Sequence, residues 1–269
     1  MTVLLQISDP HFGTERLPVV DALARLSLEQ QPDLLVVSGD VTQRARRGQF
    51  QAARTFLERL GKPWLVIPGN HDIPLFDLRA RVLRPYARHC EAFGPDLEPV
   101  HDSPALLVLG VNTTRWYRHQ DGEVSLAQID RVARRLRSAG AAQLRVVVVH
   151  QPVAVPQMND VHNLLHRHAL AIRDWAVAGC DIVMGGHIHL PYVAALPGLV
   201  HPMWAVQAGT AVSWRVRDGM PNSVNLLRWG GDAPAGMCLV ERWDCNGTGP
   251  AFVRSAVVEI KPERAALET

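Results

Sequence analysis

Strand-type and helix-type runs alternate along the first two thirds of the chain. Val3 to Ser8 reads as a buried strand, and Leu17 to Glu29 repeats its apolar positions at helical spacing. Strands are predicted over Leu34 to Ser38 and Trp64 to Ile67, with a helix from Gln49 to Leu60 that stops at Gly61-Lys62-Pro63. Leu75 to Phe93 reads as helical, bent or divided at Pro85. A strand follows over Ala105 to Val111. Ser125 is placed to N-cap a helix running to Ser138, with Gln128 at the capping-box position. Strand Arg145 to Val149, helix Asn163 to Ala178 and strand Asp181 to Met184 complete this part.

After His189 the pattern changes. Tyr192 to Ala195, Met203 to Gln207, Ser223 to Arg228, Met237 to Trp243 and Phe252 to Val258 are short apolar runs, with no helical run between them. The expected architecture is α/β (α+β): two packed mixed sheets flanked by helices in a four-layer α-β-β-α sandwich. The strands from about residue 190 are expected to complete the second sheet. No repeat, low-complexity tract or linker interrupts the chain, so a single domain over residues 1–269 is expected, fraying after Pro262.

Polar residues suited to chemistry gather at the ends of the predicted strands. They are Asp9-Pro10-His11, Gly39-Asp40, Gly69-Asn70-His71-Asp72, His150 and Gly186-His187-Ile188-His189. Side chains at strand ends can converge in one crevice although far apart in sequence. Asp9, His11, Asp40, Asn70, His150, His187 and His189 offer only oxygen and nitrogen donors, enough for two metal ions. A carboxylate has two oxygens and can bridge such a pair, and Asp40 is the candidate. Asp9 and His11 are expected to alternate along an extended segment, so that both point to one side, with Pro10 keeping it extended. His187 and His189 repeat that spacing, and Gly185-Gly186 would let the backbone come close.

Composition narrows the setting. At 269 residues the chain can bury a sizeable core, and a net charge of +2 is too small to announce a nucleic-acid or anionic-membrane partner. Cys90, Cys180, Cys238 and Cys245 show no zinc-finger spacing, and isolated thiols suit a reducing cytoplasm; a bridge between Cys238 and Cys245 stays open. No run approaches the ~20 apolar residues needed to span a bilayer, so no membrane span is expected. Met1 to Ser8 lacks the basic start of a signal peptide and reads as a core strand. A cytoplasmic location is therefore expected, and homo-oligomer formation stays open.

These motifs, in this order from residue 3 to about residue 190, resemble the calcineurin-like metallophosphoesterase superfamily. The resemblance implies one metal held by Asp9, His11, Asp40 and His189, and another by Asp40, Asn70, His150 and His187. Ile7-Ser8-Asp9-x-His11-Phe12 and Val37-Ser38-Gly39-Asp40-Val41-Thr42 look most like the class III cyclic nucleotide phosphodiesterases and their glycerophosphodiesterase relatives. Gly69-Asn70-His71-Asp72 agrees, since Ser/Thr protein phosphatases usually carry Glu at the last position. The chain departs from the class III pattern at Pro10, where Thr or Leu is usual, and at Gln151-Pro152-Val153, where His-Pro-Pro is frequent. The metals implied are Mn or Fe, with Zn or Co also compatible with imidazole and carboxylate ligands.

Two divalent ions would lower the pKa of a bridging water towards ~7, supplying hydroxide for in-line attack on phosphorus. His71 is the candidate proton donor to the leaving alkoxide, with Asp72 placed to orient its ring. The expected reaction is hydrolysis of a small phosphodiester of the cyclic nucleotide or glycerophosphodiester type. The alternatives are a phosphomonoesterase or nucleotide-pyrophosphate hydrolase on the same centre, a nuclease, and a non-catalytic scaffold. A nuclease would be expected to show a basic track, and a scaffold to lose ligands.

Three further features stand outside the motifs. His162, His166 and His168 fall at near-helical spacing but lack the Glu of a metalloprotease helix and read as a solvated or rim face. Trp116-Tyr117-Arg118-His119 and Trp214-Arg215-Val216-Arg217 combine rings and cations that suit surface loops or base stacking. Arg44, Arg46 and Arg47 could steer an anionic substrate or simply lead into a helix.

Overall fold

The computed structural model describes residues 1–231, 236–245 and 249–263. The tail expected beyond Pro262 lies, from residue 264 on, outside the described residues. Among the described residues, twelve strands and six α-helices run in this order: β1 (Thr2–Ile7), α1 (Leu17–Gln30), β2 (Leu34–Val37), α2 (Arg47–Leu60) and β3 (Trp64–Val66). Next come α3 (Leu78–Leu83), α4 (Ala87–Phe93), β4 (Val100–Asp102), β5 (Leu106–Gly110) and α5 (Leu126–Arg137). Then follow β6 (Leu144–Val148), α6 (His168–Val177), β7 (Ile182–Gly185), β8 (Tyr192–Ala195) and β9 (Trp204–Gln207). The last three strands are β10 (Ser223–Trp229), β11 (Cys238–Cys245) and β12 (Phe252–Ile260).

The strands form two six-stranded sheets, ordered β12-β11-β10-β1-β2-β3 and β4-β5-β6-β7-β9-β8. β1, β2 and β3 are parallel, as are β5, β6, β7 and β9. One apolar cluster lies between the sheets, including Leu4, Val36 and Ile67 from the first and Val108, Val146 and Met184 from the second. A second cluster packs α1 and α2 on the outer face of the first sheet, through Val3, Leu5, Ile7, Leu23 and Phe56. A third packs α5 and α6 on the second sheet, around the fully buried Trp175. The four-layer α-β-β-α sandwich of two mixed sheets is therefore the fold.

The strands after residue 190 do not act together as expected. β8 and β9 complete the second sheet, whereas β10 returns antiparallel to β1, so β10, β11 and β12 complete the first. The apolar pattern marks these strands but carries no information on which edge they join.

Local signals explain most boundaries. Ser125 caps α5, with its hydroxyl accepting from the Gln128 N–H and the Gln128 side chain returning to the Ser125 N–H. The helical run from Leu75 divides at Arg84-Pro85-Tyr86, and α3 begins later than expected, where the Asp77 carboxylate accepts from the Ala80 N–H. The helix expected from Asn163 begins only at His168. Met158–Asn163 is a short 3-10 turn, and Leu164 to Arg167 turn away to bond with Pro152 and Gly122.

Candidate metal centre

The carboxyl ends of β1, β2, β3, β6 and β7 deliver the motif residues to one place. Asp9, His11 and His189 form one group and Asp40, His150 and His187 another, with the ligand atoms of each group within 4.8 Å of one another. Asn70 joins the second group, its Oδ1 lying 3.2 Å from His150 Nε2. Asp40 stands between the groups, with Oδ1 3.3 Å from His150 Nε2 and Oδ2 3.8 Å from His11 Nε2. All seven sequence-predicted ligand residues are thus brought together.

The backbone reaches this arrangement in a way that differs from the expected extended segments. Asp9, His11, Asp40, His187 and His189 all have φ between 45° and 70°. That left-handed region is costly for residues with a Cβ, by about 1–3 kcal/mol each, and is found where surroundings enforce it. β1 ends at Ile7, so Asp9 and His11 reach one group through successive left-handed turns and not by strand alternation. Two close approaches hold these turns. A Cβ on Gly186 would collide with Ser8 Oγ and Asp9 Oδ2, and one on Gly69 would collide with the Asp40 backbone and carboxylate.

Hydrogen bonds aim the remaining atoms. Asp9 Oδ2 accepts from the Ser8 hydroxyl at 2.6 Å and the His187 N–H at 3.0 Å. Its Oδ1 is buried without a hydrogen-bond partner, 3.3 Å from His189 Nε2. His150 Nδ1 donates to the Ser38 carbonyl at 2.9 Å, leaving Nε2 towards Asp40 and Asn70. Below the site, buried Gln6 ties the sheets together, donating to the Gly185 carbonyl at 2.9 Å and accepting from Asn225.

The electrostatics suit a cation. Burial pushes His11 down to about 3 and His187 to about 4, so both rings are neutral at ordinary pH, the form in which imidazole binds metals. Burial opposes charge on His150, yet Asp40 more than reverses this and raises the ring to about 9. His189 and His150 similarly overcome burial to hold Asp9 at about 2, and His150 and His71 keep Asp40 well below the usual carboxylate range. The nitrogens of His11 and His189 face each other at 3.2 Å. Donors about 2.1 Å from a shared ion stand roughly that far apart. The donor set, the unpartnered Asp9 oxygen and this spacing fit two divalent ions.

His71 and Asp72 divide their tasks differently from the expectation. Asp72 does not touch the His71 ring. Its carboxylate accepts from the N–H groups of Gly69, Val41 and Thr42 and from the Thr42 hydroxyl, fastening the β2 and β3 loops together. Burial and the neighbouring Asp40 nevertheless raise it to about 7. The His71 ring is held instead by the Gln43 carbonyl, 3.0 Å from Nδ1, while the His71 N–H donates to Asp40 Oδ1 at 2.8 Å. A backbone carbonyl leaves no mark on a motif, so this contact has no sequence signal. Gln151, at one departure from the class III pattern, is buried; its amide accepts from Thr113 and donates to the Gln120 carbonyl beside His150.

The other sequence candidates stay outside the centre. His166 lies near Asp121 and Arg118, His168 Nδ1 bonds the Leu165 carbonyl, and His162 is exposed. Arg44 stacks over Phe76 at 5.6 Å and lines a cleft with Gln43, Asn70, His71, Arg81 and His119. Arg47 pairs with Glu91, and Arg16 lies over the exposed Trp214 at 4.4 Å. None of the four cysteines is in a disulfide, and none belongs to either donor group.

Two clusters of nitrogen and oxygen donors sharing one carboxylate, at the strand ends of a double-sheet sandwich, define a dinuclear metal hydrolase. The sequence profile of the family Calcineurin-like phosphoesterase matches residues 2–191, and the chain belongs to that family. Over 81 residues it is 37% identical to the glycerophosphodiester phosphodiesterase GpdQ of Enterobacter lignolyticus, covering 26% of this chain and 29% of that protein. Over 46 residues it is 39% identical to a Synechococcus protein named as a probable cyclic nucleotide phosphodiesterase, covering 17% and 18%. The chain thus spans less than a third of either curated relative, on the branch the motifs resemble. A dimetal phosphatase from Danio rerio shares the fold, with a TM-score of 0.67 at 13% identity over 97% of this chain and 99% of that one. Among the described residues, no helix is long and apolar enough to cross a membrane.

Proposed function

We propose that this chain is a single-domain phosphodiesterase for a small phosphodiester of the glycerophosphodiester or cyclic nucleotide type. The observation that carries the reading is Asp40, whose two carboxylate oxygens face the two donor clusters. In this reading Asp9, His11, Asp40 and His189 hold one ion, and Asp40, Asn70, His150 and His187 the other. Manganese or iron suits the all-nitrogen-and-oxygen donor set best, with zinc or cobalt as substitutes. When bound, such a pair supplies Lewis acidity towards phosphoryl oxygens and a nucleophile at neutral pH. The short matches to two phosphodiesterases support a diester in place of a monoester. The four free thiols accord with a reducing, cytoplasmic location.

The protein groups have separate tasks. Asp9 and Asp40 bring negative charge that buried cations require. His71 is the proton donor to the departing alcohol: the Gln43 carbonyl holds Nδ1–H, and the imidazolium releases its proton from Nε2 to the alkoxide oxygen. Asp72 acts through position only, locking the loop that carries Asn70 and His71.

The test is metal analysis followed by a substrate panel with added manganese: cyclic nucleotides, glycerophosphodiesters, nucleotide-lipid pyrophosphates and simple monoesters. Two transition metals per chain and fastest turnover of a small diester are expected. A protein unable to retain two metals, or one that cleaves monoesters faster than every diester, overturns the reading.

A further inference from the structure

Exposed apolar side chains flank the candidate metal centre. α3 has no buried residue: Leu78, Val82 and Leu83 are exposed, and Phe76 just before it is 80% exposed. Trp116 and Tyr117 stand exposed in the loop after β5, and Arg81 of α3 donates to the Arg118 carbonyl, joining the two loops. This pair of loops adjoins His71, because Leu75, Arg81 and His119 line the same cleft as His71 and Asn70. The other end of the centre has a matching pair. Met158 and Val161 are exposed in the loop after β6, and Trp214 and Val216 in the loop after β9. Arg217 binds these loops together through Asp160 and Gln157 and reaches the Ile188 carbonyl, between His187 and His189.

The charges on this rim are one-sided. Asp77, Asp121, Glu123 and Asp160 are each held by an arginine of the same region. Among the described residues, Arg44, Arg46, Arg79, Arg84 and Arg215 have no carboxylate partner, and the exposed Asp218 lies three positions after Arg215. Arg46 and Arg84 line one open cleft of about 460 Å³, where Asp77 and Glu91 are taken up by Arg88 and Arg47, so two arginines are in excess. The net charge of +2 averages this excess away.

We propose that the rim docks the metal centre onto an anionic lipid surface. Aliphatic and aromatic side chains that enter the boundary between headgroups and acyl chains, beside cations that meet lipid phosphates, are the chemistry of peripheral membrane attachment. A nucleic acid would match the arginines but offers nothing to bare Leu, Val and Met side chains. A second copy of the chain, meeting face to face, would set the free arginines against their own kind. The docking is independent of which ester the centre cleaves.

Co-sedimentation of the full chain with phosphatidylcholine vesicles, with and without phosphatidylglycerol, tests this. Binding at least roughly tenfold stronger to the anionic vesicles, and reversed by salt, is expected. The triple variant Phe76→Ser/Leu78→Ser/Leu83→Ser and the double variant Arg79→Glu/Arg84→Glu should each lose roughly tenfold in vesicle binding. Both should keep wild-type metal content and wild-type hydrolysis of a soluble bis-aryl phosphodiester. Three results overturn the proposal: no preference for anionic vesicles, variants that sediment like wild type, or a wild-type dimer that the triple variant dissociates. Vesicle binding is read without turnover, so a failed diester panel leaves this result standing.

Discussion

The inter-sheet core and the loops at its carboxyl edge obey opposite rules. In the core, strand residues such as Leu4, Val36, Val146 and Met184 are at most 1% exposed and sit in regular ladders. At the edge, a few residues away, five candidate ligands adopt left-handed backbone and polar atoms are buried with and without partners. Apolar burial stabilises the first region by itself. The second holds its shape because the first leaves it no alternative. The rigid half of the molecule therefore carries the strain of the functional half.

The comparison breaks most sharply at Asp40. Replacing it by Ala removes the carboxylate shared by both clusters, so both metals and at least about 10³-fold of diester turnover should be lost. Metal analysis and steady-state kinetics check this; retention of two metals by Asp40→Ala would refute the shared position. His71→Ala comes next. It should keep both metals and slow esters with poor leaving groups by about 10²–10⁴-fold, while activated aryl esters change little. Loss of metal in that variant would remove its role as proton donor.

Leu35→Ala probes the apolar side of the comparison. Leu35 is fully buried beneath α1 and α2, so denaturant melts should show a loss of about 2–5 kcal/mol with metal content unchanged. The smallest effect concerns His89, a neutral ring in α4 buried between Phe50 and Phe93, with neither nitrogen hydrogen-bonded. Burial lowers it from 6.5 to about 4. The unfolded chain binds that proton more readily, so the contribution is full above pH 6.5 and is lost as pH falls towards 4. His89→Phe should be less acid-sensitive than wild type across that window, by up to about 3 kcal/mol. Parallel pH-stability curves for the two proteins would show the ring to be irrelevant.

What could be read from the chain follows the same division. Continuous runs such as Leu34 to Val37 and Leu106 to Leu109 announce buried strands because burial on both faces demands apolar side chains throughout. The candidate ligand residues that converge at the edge stand out in the sequence because strand-end motifs of Asp, Asn and His are chemically distinctive. The left-handed turns at Asp9, His11, His187 and His189 were not, since no pattern of side chains announces a backbone enforced from outside. Nor were Gln6 and Gln43, one hidden in an apolar run and the other acting through its carbonyl. The destination of β10 to β12 was invisible because each could pair with either sheet.

That return of β10 to β1 bears on how the protein is made. β1 has its second neighbour more than two hundred positions away, since Leu5 pairs with Leu226. A ribosome that has already polymerised every candidate metal ligand, the last being His189, has not yet made the strand that closes β1. Until it does, an apolar strand presents an open edge to other nascent chains. The interval before β10 emerges is thus the one in which aggregation competes with folding, and in which a holding chaperone would matter most.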